Sequence, residues 1–344
     1  MKRDVIVIGA SAGGLEVLRK LLGQLPPDFP ATILVVWHLS RDYPSQLAQI
    51  LSRACPLPVS QATDEESIQP GHIYVARPDH HLVVEPERVR VTRGPSENRF
   101  RPSIDVLFRS AALSFGPRVI AVVLSGVLDD GTSGAYAVKQ QGGLVIVQDP
   151  KDAFYGAMPR NVLKAVEVDH VLPVAEMGEL LLSLVTQTPP EAEKPIVPPD
   201  LEIEVRIARQ DHALGNDVMK LGTASYFTCP DCHGTLLQIQ EGQRTRFRCH
   251  TGHAFSLDAL LSAVTQNIEE TLWSGVRALE ESEMLLDHMA QHLEQAGEGE
   301  VAQPFVEQAR RAKARAALVR QAALDSEVLS EEKIEPDNPP NRSD

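Results

Sequence analysis

Six short apolar runs recur through the first half of this chain: DVIVIG (residues 4–9), ATILVVW (31–37), HIYVA (72–76), VIAVVLSG (119–126), GLVIVQD (143–149) and DHVLPV (169–174). Their Val, Ile and Leu residues stand side by side instead of alternating with polar ones. Such a strand has no face to give to water, so it must be covered on both sides. A parallel sheet with helical crossovers on each face provides that cover. Helical patterns lie between the runs at 12–25, 44–54, 104–115, 133–141 and 175–186. The spacing predicts an α/β domain over residues 1–186, with a doubly wound, mostly parallel sheet and helices on both faces. HLVVEPERVRVTRG (81–94) reads as an appended hairpin.

The first run leads into VIVIGASAGG (residues 5–14), which admits three readings. A secretory signal needs an apolar core of roughly seven residues or more, but only four strongly apolar residues precede Gly9 and Asp4 interrupts the basic start. No apolar run approaches the roughly 18 residues of a membrane span, so the chain is expected to be cytoplasmic. A dinucleotide fingerprint needs G-x-G-x-x-G and an acid closing the second strand. Here Ser11 replaces the second glycine and His38 closes that strand. The stretch GASAG (9–13) instead has the form G-x-S-x-G, whose small residues permit a sharp strand-to-helix turn presenting a serine hydroxyl.

In doubly wound sheets, sites form beyond the carboxyl ends of the strands. Ser11 follows the first strand, His38 ends the second, and Asp129 and Asp130 follow VIAVVLSG. A serine hydroxyl is a weak nucleophile until an imidazole takes its proton, and a carboxylate fixes that imidazole's tautomer. The order Ser, His, Asp differs from the Ser, Asp, His order of α/β-hydrolases. His80 and His81 are rival bases at the start of the hairpin.

VIGASAGG, WHL, GHIYVARPDHHL, NRFRPSIDVLFRSAA, VVLSGVLDDGTSG and GGLVIVQDPKDAFYGAMPRNVL occur here in sequence. In this order and spacing the motifs resemble the catalytic domain of chemotaxis protein-glutamate methylesterases, the CheB family. The resemblance spans residues 1–186. It implies that Ser11 is the nucleophile and His38 the base. The family's aspartate directly precedes a glycine, which selects Asp130. The backbone N–H groups near Ala12 and Val127 are then expected to hold the oxyanion. The implied reaction is hydrolysis of γ-glutamyl methyl esters on receptor helices, with deamidation of receptor glutamines and no cofactor for catalysis. A general small-ester hydrolase and a non-catalytic scaffold are the alternatives. Two positions depart from the family: Val127 stands where it has methionine and Leu128 where it has glycine. The best-known members carry a receiver domain ahead of the catalytic one; with the first strand at residue 4, a stand-alone form is expected.

The second half is built differently. Residues 187–200 hold a Pro-rich linker, and LEIEVRIA (201–208) fits either a strand or a helix. CPDC (229–232) and CHTGH (249–253) predict a zinc-ribbon-like module within 201–255, with Cys229, Cys232, Cys249 and a histidine as ligands. His253 has the commoner spacing; His250 is its rival. Cys55 stands apart as an inert thiol. Apolar positions Leu261, Val264, Ile268, Leu272, Val276, Leu279, Leu286, Met289 and Leu293 predict a helical hairpin or coiled coil over 256–333, before a disordered tail at 334–344. Residues 1–185 carry 18 Lys and Arg against 20 Asp and Glu, so −12 of the net charge of −14 lies beyond them. That balance disfavours nucleic acid as a partner. Residues 201–333 are therefore expected to act as an arm for self-association or partner docking, separate from catalysis.

Overall fold

The computed structural model describes residues 2–38, 41, 43–188, 196–209 and 217–334. These fall into two compact units, Met1–Ala259 and Leu260–Asp344. Residues 189–195 of the expected linker and the tail from 335 lie outside the described residues.

In the first unit, the chain runs β1 (Val5–Ala10), α1 (Gly14–Leu22), β2 (Thr32–Trp37), α2 (Leu47–Ser52), β3 (Val59–Gln61) and β4 (Ile73–Val75). It continues through β5 (His81–Val84), β6 (Val89–Thr92), α3 (Ile104–Phe115), β7 (Val119–Val123), α4 (Thr132–Gln140), β8 (Leu144–Gln148), α5 (Ala157–Ala165), β9 (His170–Leu172) and α6 (Val174–Thr186). Seven strands form one sheet in the order β3-β4-β2-β1-β7-β8-β9, every pairing parallel. The expected sheet is present.

Why the strands are apolar throughout is visible in β1. Val5 and Val7 enter one core, with Leu107, Phe108 and Ala135 of α3 and α4. Ile6 and Ile8 enter the opposite core, with Leu18, Leu21 and Leu181 of α1 and α6. Alternate side chains point to opposite faces, and both faces are covered. The strand order reverses at β1, whose neighbours β2 and β7 are reached by crossovers on opposite sides. In doubly wound sheets the site is expected at this reversal, beyond the strand ends. The hairpin β5–β6 is antiparallel and is fastened to α3, where Ser110 Oγ accepts the Val84 N–H at 3.1 Å.

The boundary expected at 187–200 does not divide compact units, because the Cys/His region belongs to the first. LEIEVRIA is helical, as α7 (Pro199–Ala208), and its Ala208 packs with Val83 and Val106. Strands β10 (Thr223–Thr228), β11 (Thr235–Glu241), β12 (Arg244–Cys249) and β13 (Ala254–Ser256) then form an antiparallel sheet.

The second unit holds most of α8 (Leu257–Gln295), then α9 (Gly299–Leu324) and α10 (Glu331–Ile334). Lys313 Nζ donates to Glu283 at 2.9 Å and Arg320 pairs with Glu280, so α8 and α9 run antiparallel. Ala302, Ala309, Ala316 and Ala323 are buried seven apart along α9. The apolar stripe expected on α8 is only partly buried. Val276 is covered, but Val264, Ile268 and Met289 are exposed. Leu272, Leu279, Leu286 and Leu293 are half-buried, and Ala290, two heptads from Val276, is buried with them.

Candidate active site

The turn after β1 places Ser11. Gly9 is required because a Cβ there would lie 2.3 Å from Ile104 Cγ2. Gly13 takes φ +69°, a conformation that favours glycine, and its cap position starts α1. Main-chain bonds hold Ser11 on both sides. Its N–H donates to Ser125 O at 2.9 Å, and Trp37 Nε1–H donates to Ser11 O at 2.7 Å.

His38 leaves the end of β2, its N–H donating to Ala10 O at 3.1 Å. The Ser11 hydroxyl lies 3.0 Å from His38 Nδ1, and His38 Nε2 lies 2.8 Å from Asp130 Oδ2. Those distances demand the tautomer with the proton on Nε2. That N–H donates to the carboxylate and leaves the Nδ1 lone pair to accept from Ser11. Phe100 stacks on the imidazole, with centroids 3.5 Å apart and planes 8° from parallel.

Asp130 follows β7 and is fully enclosed. Burial pushes its pKa up, but His38 and the N–H groups around it more than offset this and hold the carboxyl at about 2. Oδ2 also accepts the Ile104 N–H at 2.7 Å. Oδ1 accepts Ser103 Oγ–H at 2.9 Å, Asn98 Nδ2–H at 3.1 Å and Asp105 N–H at 3.3 Å. The start of α3 therefore aims its free N–H groups and the positive end of its dipole at this carboxylate. Asp129 points elsewhere: its carboxylate accepts from Ser256 Oγ at 2.6 Å and Arg244 Nη2 at 2.8 Å. Burial raises its pKa to about 6 against the pull of Arg244 and Ser256.

The rival histidines do not reach Ser11. His81 is buried, with Nε2–H donating to Pro95 O at 2.9 Å and Nδ1 accepting the Ser103 N–H at 3.3 Å. Burial lowers its pKa to about 4. His80 contacts Pro78 O through Nδ1. Cys55 gives a hydrogen bond to Leu57 O, and burial raises its pKa, as suits an inert thiol.

Beside Ser11, neither the Ala12 nor the Val127 N–H has an acceptor among the described residues. A Cβ on Gly126 would lie 2.9 Å from Ser11 Cβ, so the strand end carrying Val127 runs alongside Ser11. Tyr155 O accepts the Gly126 N–H at 2.9 Å and Gly126 O accepts the Met158 N–H at 3.0 Å, lacing the YGAMP segment to this strand end. Leu128, where a glycine was expected, sits at φ +60°, and its carbonyl accepts from Asn161 Nδ2 at 2.9 Å. Phe154 is 67% exposed next to Gly13, leaving an apolar rim at the site.

A second cluster lies in the antiparallel sheet. Ligand atoms of Cys229, Cys232, Cys249 and His253 all fall within 4.8 Å of one another. His250 packs over Gly234 instead. Sequence reasoning did not find Asn98, Phe100 or Ser103 as functional positions. They lay inside the NRFRPS motif, but nothing in their spacing pointed to contacts with Asp130 or His38.

A family model of the CheB methylesterases matches residues 6–181. A putative protein-glutamate methylesterase/protein-glutamine glutaminase of Leptospira interrogans is 37% identical over 185 residues, which is 54% of this chain and 96% of that protein. The protein-glutamate methylesterase/protein-glutamine glutaminase of Nocardioides sp. is 40% identical over 190 residues, 54% of this chain and 52% of its own length. The chain thus spans about half of that longer relative. The crystal structure of the Thermotoga maritima CheB methylesterase catalytic domain aligns with a TM-score of 0.52 at 35% identity, over 53% of this chain and 98% of that one.

Proposed function

Because this chain belongs to the CheB methylesterase family, we propose that it hydrolyses γ-glutamyl methyl esters on the helices of methylated receptors. The observation that carries this reading is the unbroken line from Ser11 through His38 to Asp130, at 3.0 and 2.8 Å. Ser11 Oγ attacks the ester carbonyl and passes its proton to His38 Nδ1. Asp130 steadies the resulting imidazolium through Nε2–H. The oxyanion is received by the free N–H groups of Ala12 and Val127. As the tetrahedral carbon collapses, its bond to the methoxy oxygen breaks and His38 protonates methanol. Water then gives a proton to His38 and attacks the acyl-serine, freeing the glutamate carboxylate and restoring Ser11. With a glutamine side chain, the same steps release ammonia. The exposed Phe154 and the neighbouring Tyr155 suit the apolar flank of a substrate helix.

We infer that Cys229, Cys232, Cys249 and His253 hold a structural zinc ion. Tetrahedral zinc at about 2.3 Å from sulfur and about 2.0 Å from nitrogen sets ligand atoms roughly 3.5–3.8 Å apart. Here His253 Nδ1 lies 3.7 Å from Cys229 Sγ and 3.6 Å from Cys249 Sγ, and the Cys232 and Cys249 sulfurs are 3.6 Å apart. The four residues therefore fit the ion, which would fasten the two loops of a zinc-ribbon-like fold and supply no chemistry to the ester.

The antiparallel α8 and α9 are read as a coiled-coil element for self-association or partner docking. Met284, Leu285 and Leu318 are exposed on it. Among the described residues, no helix is long and apolar enough to cross a membrane. The proposed setting is the cytoplasmic face of the receptor.

A methanol-release assay tests the reading. Methylated receptor should be turned over at least tenfold more efficiently, in kcat/KM, than a small aryl ester. The reverse ranking would make the protein a general esterase.

A further inference from the structure

The short loop 96–100 joins two parts of the first unit that the sequence suggested were independent. On one side, it reaches the catalytic residues. Asn98 Nδ2 donates to Asp130 Oδ1 at 3.1 Å and to Asp105 Oδ2 at 2.9 Å, and Phe100 stacks on His38. On the other side, it is bonded to β13. Asn98 N–H donates to Ala254 O at 2.8 Å, and Ala254 N–H donates to Ser96 O at 3.2 Å. Asn98 Oδ1 accepts the Ser256 N–H at 2.8 Å.

The Asn98 amide is thereby fully committed. The Nδ2 hydrogens face Asp130 and Asp105 and Oδ1 faces a backbone donor, so a flipped amide would set its oxygen against the Asp130 carboxylate and its NH2 against the Ser256 N–H. Its neighbour Glu97 is buried and anchored on both sides. It accepts from Arg248 Nη2 of β12 at 2.8 Å and pairs with Arg109 of α3. Arg248 in turn meets Glu204 of α7 at 3.0 Å, and Arg246 Nη1 meets Glu204 at 3.0 Å. A network of buried charges is held together only while every partner is in place. The turn itself closes through Phe100 N–H to Glu97 O at 2.8 Å and Glu97 N–H to Phe100 O at 3.1 Å.

We propose that Asn98 is a positioning residue for Asp130, and that β13 of the Cys/His sheet holds it in place. The Cys/His sheet of the first unit then belongs to the frame of the triad and is not a tethered accessory. This rests on the esterase reading for its kinetic consequence, but not for the contact itself. Ala254 directly follows His253, so whatever fixes the Cys/His cluster also fixes the strand on which Asn98 leans.

The test uses the full chain. Asn98→Ala should lower kcat 10- to 100-fold with KM within twofold, since Asp130 and His38 lose orientation while the substrate surface is untouched. Ser256→Pro removes the backbone donor to Asn98 Oδ1 together with the hydroxyl that donates to Asp129, whereas Ser256→Ala removes the hydroxyl alone, so the difference between the two variants reads the backbone donor. Ser256→Pro should lower kcat at least fivefold more than Ser256→Ala, which keeps that donor. Hydrogen exchange reads the link without any substrate: the Ser256 amide should exchange at least tenfold faster in Asn98→Ala than in wild type. That reading also decides the matter should Ser256→Pro fail to fold. An unchanged Ser256 exchange rate, or a folded Asn98→Ala chain with kcat within twofold of wild type, would overturn the proposal. A wild-type chain that releases no methanol from any methylated receptor refutes the esterase reading instead, and the exchange result still decides the contact.

Discussion

Asp130→Asn separates the two adjacent aspartates, and its cost follows from the donors around the carboxylate. Oδ2 accepts from His38 and Ile104, and Oδ1 from Ser103, Asn98 and Asp105. An asparagine has one acceptor oxygen. With that oxygen towards His38, its NH2 meets the Asn98 and Asp105 donors; the Ser103 hydroxyl can turn away. Two buried donors without acceptors cost about 1–3 kcal/mol each. With the amide reversed, the NH2 meets Ile104 N–H and His38. The imidazole then avoids the clash by moving its proton to Nδ1, which leaves only Ile104 orphaned. The reversed state is favoured by about one orphaned donor, or roughly 1–3 kcal/mol, and it is the state in which His38 cannot accept from Ser11. The expected result is a folded protein whose kcat for methanol release falls about 10³–10⁴-fold. Asp129→Asn touches only Ser256 and Arg244 and should lose less than about tenfold. Equal losses at the two positions, or a folded Asp130→Asn chain within tenfold of wild type, would refute the assignment.

Other outcomes follow from single groups. His81 is neutral in the fold, with its pKa lowered from 6.5 to about 4. Its contribution to stability is complete above pH 6.5 and lost as pH falls towards 4, a drop of about 3 kcal/mol; Asp129, raised to about 6, changes in the opposite sense over this window, so the drop is read as the difference between urea titrations of wild type and of His81→Gln. Leu128 holds φ +60° at a cost of roughly 1–2 kcal/mol. Leu128→Gly should therefore equal or exceed wild type in urea midpoint, and a clear loss would show that the side chain's packing outweighs the backbone strain. Metal analysis should find about one zinc per chain, lost in Cys229→Ser or Cys249→Ser; protein purified without chelators and still free of zinc would remove the metal reading.

What the sequence revealed depended on how local each signal was. Strands β1, β2, β7 and β8 were legible because both faces are buried and the residues say so one after another. Strand β3, with the polar VSQ at the sheet edge, carried no such run, and α5 was hidden by Gly156 at its cap and Pro159 within it. Ser11, His38 and Asp130 could be placed because strand ends in this topology converge. Asn98 and Phe100 could not, since their roles rest on the Ser256 amide 158 positions away and on the His38 ring. For the same reason residues 201–255 read as a separate module. Arg246, Arg248 and Glu204 look like ordinary surface charges until the fold buries them against Glu97 and Arg109. The independence expected between the Cys/His region and the catalytic residues gives way to direct contact through the loop 96–100.

In the proposed reaction, Ser11 Oγ forms and breaks the bond to the substrate acyl group. Methanol release from a methylated receptor by the full-length Ser11→Ala chain tests it most directly. The hydroxyl is buried among small residues, so alanine removes it without disturbing the turn. Release is expected to fall to within about 10³–10⁴-fold of the rate without enzyme, the remainder that the N–H groups and binding supply, while the Ser11→Ala chain keeps its fold and its affinity for the receptor. Release within tenfold of wild type would contradict it and place the nucleophile elsewhere.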